Sequence, residues 1–199
     1  MSTPAPLTDA TLREAMAAEL APRLLAHIDR VVALTDELAR HHGLDVALAR
    51  LMAQGHDLVR AVPPAELLAR AEARRLPIDI VEREAPVLLH GPIGALELRE
   101  RFAVSDPRVF EAIWHHTWGH PDYTPEAWAM FIADKVEPSK TRKWKPLQRV
   151  HRIAFEQSLE AAALAYLDAR LKEAVRDGIA VHPLATLTRN HLLRTRAGT

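Results

Sequence analysis

The chain has 199 residues, no cysteine, and 26 basic against 26 acidic side chains for a formal net charge of zero. This length supports one substantial core, the charge balance argues against a nonspecific nucleic-acid or polybasic membrane binder, and the missing thiols remove disulfides, iron–sulfur clusters and Cys nucleophiles, so any metal must sit on nitrogen and oxygen. Ala and Leu supply 61 residues, aromatics 5% and Gly only 7, a mixture that favours packed helices over a sandwich or barrel, and the expected fold class is all-α.

A first helix is predicted over about Thr8 to Leu20, with Thr11 and Glu14 spaced as a capping box, and residues 1–21 read as an N-terminal helical extension. Arg13 and Glu14 stand where a signal peptide needs its apolar stretch. The second helix starts at Pro22 and stops before Gly43, with Leu24, Ile28, Val31, Val32 and Leu38 at helical spacing and His27 beside that stripe. Asp45 caps a third, which carries Leu48, Leu51 and Met52 to about Arg60, with His56 and Asp57 in its last turn and Pro63-Pro64 ending it. A short helix to Arg75, another near Asp79 to Glu84, and one opening at Gly91-Pro92 and running to Phe102 follow, with His90 just ahead of the last. Asp106-Pro107 and Thr124-Pro125 pair a capping residue with a proline suited to the first helical turn. The Asp106 helix ends at Gly119 with His115 and His116 in its final turn, and the Thr124 helix carries Asp134 and ends before Pro138. One long helix is predicted from Pro146 to Asp177, stopped by Gly178. Its longest apolar run, Ala161 to Leu167, is too short to span a bilayer, and a cytoplasmic protein is expected. The segment Lys140 to Arg152 holds Lys140, Arg142, Lys143, Lys145, Arg149 and Arg152 without an acid, and reads either as a solvated helix start or as a phosphate-attracting rim.

His27, His56-Asp57, His90, His115-His116 and Asp134 each lie on a different predicted helix, near its middle or end. Helical bundles build metal sites from such inward-facing side chains, and imidazole with carboxylate suits a borderline first-row metal. Taken singly these residues are ordinary: a histidine beside an apolar stripe is more often a hydrogen-bonded core residue than a ligand, and a tryptophan on a helix is more often core, although Trp114, Trp118 and Trp128 could wall an adenine. No Walker-type phosphate motif and no Ser nucleophile elbow is present.

The order and the flanking words go further. His27, the Gly55-His56-Asp57-Leu58-Val59-Arg60 stretch 29 residues on, Leu88-Leu89-His90-Gly91-Pro92, Ile113-Trp114-His115-His116-Thr117, Ile132-Ala133-Asp134 and Glu137-Pro138 resemble the bacterial YqeK-type family of HD-domain symmetrical bis(5'-nucleosyl)-tetraphosphatases. The likeness runs from about Pro22 to Asn190 and implies an HD-domain helical bundle over residues 22–178 with a C-terminal tail, 179–199. It implies metal-dependent hydrolysis of diadenosine tetraphosphate to two ADP, with iron as the first expectation, manganese or zinc as alternatives, and room for a second metal. Carried over residue by residue, His27, His56, Asp57 and Asp134 fall on the metal positions. His90 and His116 fall on stations that reach a second metal or the substrate phosphates, and His115 on a substrate-contacting neighbour. Asp57, His90 and His116 form the expected catalytic set, and Arg60 and Lys140 the outer phosphate anchors, with Lys143 and Lys145 a weaker rim. This chain departs from the family pattern at Leu24 and Arg60, at Trp118 and His120, and at Lys140 in place of an arginine. Those departures touch phosphate contacts and leave the four metal positions intact. A nucleotide is the expected partner, without membrane or nucleic acid, and a homodimer stays open. So do another nucleotide substrate, such as a nucleoside monophosphate or a guanosine alarmone, and a noncatalytic binding module.

Overall fold

Proline and capping side chains start most helices where the sequence places them. In a computed structural model describing residues 7–197, twelve α-helices and one 3-10 turn succeed one another, with no strand among the described residues. The chain is therefore all-α, as expected. The helices are α1 Asp9–Ala17, α2 Pro22–His41, α3 Val46–Gly55, α4 Pro64–Ala73, α5 Ile80–Glu84, α6 His90–Phe102, α7 Pro107–Trp114, α8 Pro125–Val136, α9 Pro138–Thr141, α10 Pro146–Glu156, α11 Leu159–Asp177 and α12 Pro183–Ala197.

Helix α8 is the axis of the bundle. Every residue from Ala127 to Val136 is buried, because α2, α3, α10 and α11 pack around it. A helix apolar on all sides needs neighbours on all sides. Two charges in that run, Asp134 and Lys135, must then be paired, since an isolated buried charge is far too costly. α2 and α3 lie against each other and α6 against α7, so the ends of α3, α6, α7 and α8 converge on one flank.

Two glycines set how closely these elements approach. A Cβ on Gly55 would meet Leu98 Cδ1 at 2.7 Å, and one on Gly91 would meet the Trp114 carbonyl oxygen at 2.8 Å. The first lets α3 press on α6 beside His56, and the second lets the start of α6 lie on the turn that carries His116.

The structure departs from the sequence reading in several places. Helix α3 ends at Gly55 rather than near Arg60, and α7 at Trp114 rather than Gly119, so His56, Asp57, His115 and His116 lie just beyond helix ends rather than in last turns. Thr8, not Thr11, caps α1, accepting from Thr11 N–H with the Thr11 side chain returning the bond. Leu12 and Met16 of that helix are fully buried in the common core. The long helix expected from Pro146 to Asp177 is two, because Gln157 leaves helical geometry and the Ser158 hydroxyl caps α11 by accepting from Ala161 N–H at 3.0 Å. A serine offers the backbone an alternative to continuing the helix, and here it does so. The tail beyond Gly178 forms α12, which packs on α11, with Thr188 buried and bonded to the Gly119 carbonyl at 3.2 Å. No helix is long and apolar enough to cross a membrane among the described residues.

Candidate metal centre

Four imidazoles reach the convergent flank from four elements, three of them held by a hydrogen bond at Nδ1. His56 Nδ1 lies 2.7 Å from the Ala53 carbonyl and His116 Nδ1 2.7 Å from the Ile113 carbonyl. His90 Nδ1 bonds the Val87 carbonyl in the same i−3 pattern. Carbonyl oxygens only accept, so each of these Nδ1 atoms carries the proton and each neutral ring presents a bare Nε2. His27 Nδ1 faces Glu137 Oε1 at 3.5 Å instead. A carboxylate behind an imidazole is how ligating histidines are commonly oriented.

All four Nε2 atoms surround one carboxylate. Asp57 Oδ2 lies 3.6 Å from His27 Nε2 and 3.5 Å from His56 Nε2, whereas Oδ1 lies 3.2 Å from His90 Nε2 and 3.7 Å from His116 Nε2. Two donor groups of cation-holding geometry result, His27 with His56 and Asp57, and His90 with His116 and Asp57. Asp134 Oδ1 adds to the first, at 3.4 Å from His27 Nε2 and 3.6 Å from His56 Nε2.

This arrangement needs positive charge. His56 Nε2 is buried without a hydrogen-bond partner, and the Nε2 atoms of His90 and His116 approach to 2.8 Å with no proton of their own between them. Burial pushes the Asp57 carboxyl up, but the imidazoles around it, His56 first and then His116 and His90, hold it well below the usual range when they take up a second proton at Nε2. Burial likewise raises Asp134, yet the Lys135 and Lys140 ammoniums keep it ionised. His56 is pulled down by burial and more than restored by Asp57 and Asp134, ending raised, whereas desolvation carries His116 down to about 4. A pocket that lifts one buried imidazole demands a cation, and a proton or a metal answers that demand alike. Imidazole nitrogens and ionised carboxylates with an orphaned Nε2 fit a divalent first-row metal.

A cleft of about 410 Å³ opens over the cluster, with Asp57, His90, His116 and Asp134 on its floor. Arg60, Lys140, Arg170 and Arg189 line it as cations, and Leu88, Leu171, Ile179 and Val181 make an apolar wall. Arg60, one of the expected phosphate anchors, is exposed at the rim of this cleft. Lys140 lies deeper, its ammonium 2.6 Å from Asp134 Oδ1. His115 is turned away from the cluster into a second cavity of about 360 Å³ beside Trp114 and His182; desolvation and the neighbouring His120 and His182 hold it down at about 4. Of the three candidate tryptophans, Trp128 is buried core, and Trp118 reaches the cleft with its ring stacked on His182 at 4.8 Å.

Two residues of this centre escaped the sequence reading. Glu137 is buried and accepts from Arg30 Nε at 2.9 Å and Ser139 N–H at 2.9 Å, besides facing His27. Lys135 is buried with its ammonium 2.6 Å from Asp134 Oδ2 and 2.9 Å from the His116 carbonyl. A lysine directly after Asp134 in a run otherwise apolar from Ala127 to Val136 was the available signal, since lysine is almost never fully buried unpaired.

An all-helical bundle with paired imidazoles on both oxygens of one aspartate defines a class of helical metal-site hydrolases. The sequence model of the HD domain family matches residues 24–139, and the chain belongs to that family. It is an HD-domain phosphohydrolase. The chain is 27% identical over 157 residues to a symmetrical bis(5'-nucleosyl)-tetraphosphatase of Bacillus subtilis, covering 79% of this chain and 82% of that one. A protein of the same name from Halalkalibacterium halodurans is 28% identical over 167 residues, 84% of this chain and 87% of its own. Among solved structures, a Clostridium acetobutylicum protein described as a "predicted HD superfamily hydrolase involved in NAD metabolism" superposes with a TM-score of 0.86 over 96% of this chain and 99% of that one, at 23% identity.

Proposed function

We propose that this protein splits a dinucleoside tetraphosphate, diadenosine tetraphosphate first among them, symmetrically into two nucleoside diphosphates. The observation that carries the reading is the Asp57 carboxylate with an imidazole pair on each oxygen, in a cleft lined by both cationic and apolar side chains. Relatives covering most of the chain carry the name of that activity. His27, His56, Asp57 and Asp134 would hold a metal, iron before manganese or zinc, and His90 and His116 with Asp57 would hold a second. Bound there, a divalent metal supplies Lewis acidity toward phosphoryl oxygens and lowers the pKa of an attacking water.

The protein's own groups do the rest. Arg60, Lys140, Arg170 and Arg189 stand to neutralise a polyphosphate, with the arginines offering planar forks and Lys140 a movable point charge. Burial pushes the Tyr166 hydroxyl up to about 12, so the phenol lining the cleft stays a neutral donor. Leu171, Ile179 and Val181 form a surface for a base, and the tail 179–199 thereby completes a site whose catalytic domain is residues 22–178. This reading places the protein in the cytoplasm.

The test is product analysis after incubating the dinucleotide with protein and iron or manganese. ADP as sole product is expected; ATP with AMP, or no product from metal-loaded protein, overturns the reading. Asp57→Ala is expected to lose both bound metal and turnover, and equal metal content in parent and variant removes Asp57 from the centre.

A further inference from the structure

The carboxylate of Asp134 is claimed twice. Lys135, buried and pinned by the His116 carbonyl, takes Oδ2 at 2.6 Å. Lys140 takes Oδ1 at 2.6 Å and the Asp134 backbone carbonyl at 2.7 Å. Oδ1 is also the atom that faces His27 Nε2 and His56 Nε2, at 3.4 and 3.6 Å. The Lys140 ammonium is therefore a positive charge on the oxygen through which Asp134 would meet a divalent ion. The two lysines differ in freedom. The Lys135 side chain is 10% exposed, whereas that of Lys140 is 39% exposed, lines the cleft and hangs from the four-residue helix α9. Among the described residues, Asp134 is the one carboxylate with which Lys140 pairs.

We infer that Lys140 is an exchangeable counter-charge: on Asp134 it opposes metal entry, and an incoming phosphate draws it into the cleft, so that one side chain weakens metal binding in the nucleotide-free protein and strengthens nucleotide binding. The inference rests on the metal and phosphate reading of this cleft. Its physics is Coulomb repulsion between an ammonium and a divalent ion sharing a carboxylate, relieved when phosphate offers the ammonium a better acceptor. Lysine suits this role better than arginine, because a compact ammonium on a flexible stem is not tied to a bidentate geometry.

The experiment measures two affinities in Lys140→Met, which keeps the length of the side chain and removes its charge. Manganese titration of metal-free protein without nucleotide, followed by the electron paramagnetic resonance of free ion, is expected to show about tenfold tighter binding than in the parent. Titration of ADP in the presence of EDTA is expected to show about tenfold weaker binding. A residue that only shores up the fold would weaken both. Lys172→Met, which removes an exposed charge outside the cleft, is expected to change neither. Manganese binding by Lys140→Met that is unchanged or weaker overturns the inference while leaving the metal reading in place; tightening equalled by Lys172→Met also overturns it, as an effect of net charge. Absence of manganese binding in the parent overturns both.

Discussion

Replacing Gly91 by alanine perturbs the centre while leaving every proposed ligand residue in the sequence. The new Cβ would lie 2.8 Å from the Trp114 carbonyl oxygen, 3.1 Å from the Ile113 carbonyl oxygen and 3.4 Å from His116 Nδ1. The first two are backbone atoms and have no rotamer to escape into, so the turn after α7 must retreat by several tenths of an ångström. The Ile113 carbonyl also receives the His116 Nδ1 proton at 2.7 Å, and the same displacement unseats that imidazole. Overpacking of this kind costs about 1–3 kcal/mol, which for a chain of this size lowers Tm by roughly 2–12 °C. Because misplacement of a reacting group by about 1 Å can cost about a hundredfold, a fraction of that shift is expected to reduce turnover by about tenfold or more. Gly94→Ala is the control: its Cβ would meet only Val59 Cγ2 at 3.6 Å, an ordinary contact, and replacing a helical glycine by alanine there should be neutral or add up to about 1 kcal/mol. Thermal melts and manganese titration of both variants check the argument. A Gly91→Ala protein that melts within a degree of the parent and binds manganese equally well refutes it.

Lys135→Met removes a buried ammonium from a buried carboxylate. Breaking one side of a buried pair commonly costs about 3–5 kcal/mol, and since Lys140 still covers the other oxygen, a loss near the lower end, about 3 kcal/mol, is expected in denaturant unfolding of metal-free protein. Acid should unfold the metal-free protein in a defined window. Glu137 is held down to about 2 from an ordinary value near 4.5, burial being overcome by bonds from Ser139 and Arg30, and Asp57 and Asp134 are also depressed. Groups lowered in the folded state bind protons more readily when unfolded, so their stabilisation is complete above the unfolded carboxylate values and is lost as pH falls through the folded ones. His115 and His116, held down to about 4, draw stability down first as pH falls below about 6.5, and circular dichroism against pH is expected to complete its collapse between about 4.5 and 2, with Glu137→Gln flattening the lower part of that dependence; an unchanged profile contradicts the role of these carboxylates.

Much of this molecule is local and was therefore legible in the chain. A capping side chain followed by proline starts a helix with little reference to the rest of the fold, as at Asp106-Pro107 and Thr124-Pro125, and the side chains that come together, His27, His56, Asp57, His90, His116 and Asp134, stand out because each is a potential ligand at a helix end or beside an apolar stripe. Ser158 shows the limit: its hydroxyl broke a helix that apolar periodicity alone would have continued. What no local pattern contains is direction across elements. His115 and His116 are equivalent as neighbours in sequence, yet one imidazole faces a separate cavity and the other faces Asp57, and α6 packs close to the His116 side of their turn at Gly91. Glu137 became the support of His27 only when α2 was brought against the end of α8, and Lys140 a counter-charge of Asp134 only when α9 turned back on α8. Helix starts depend on a few consecutive residues and their backbone hydrogen bonds, whereas the shared use of one carboxylate by groups far apart in the chain depends on packing distances that arise only when the core closes.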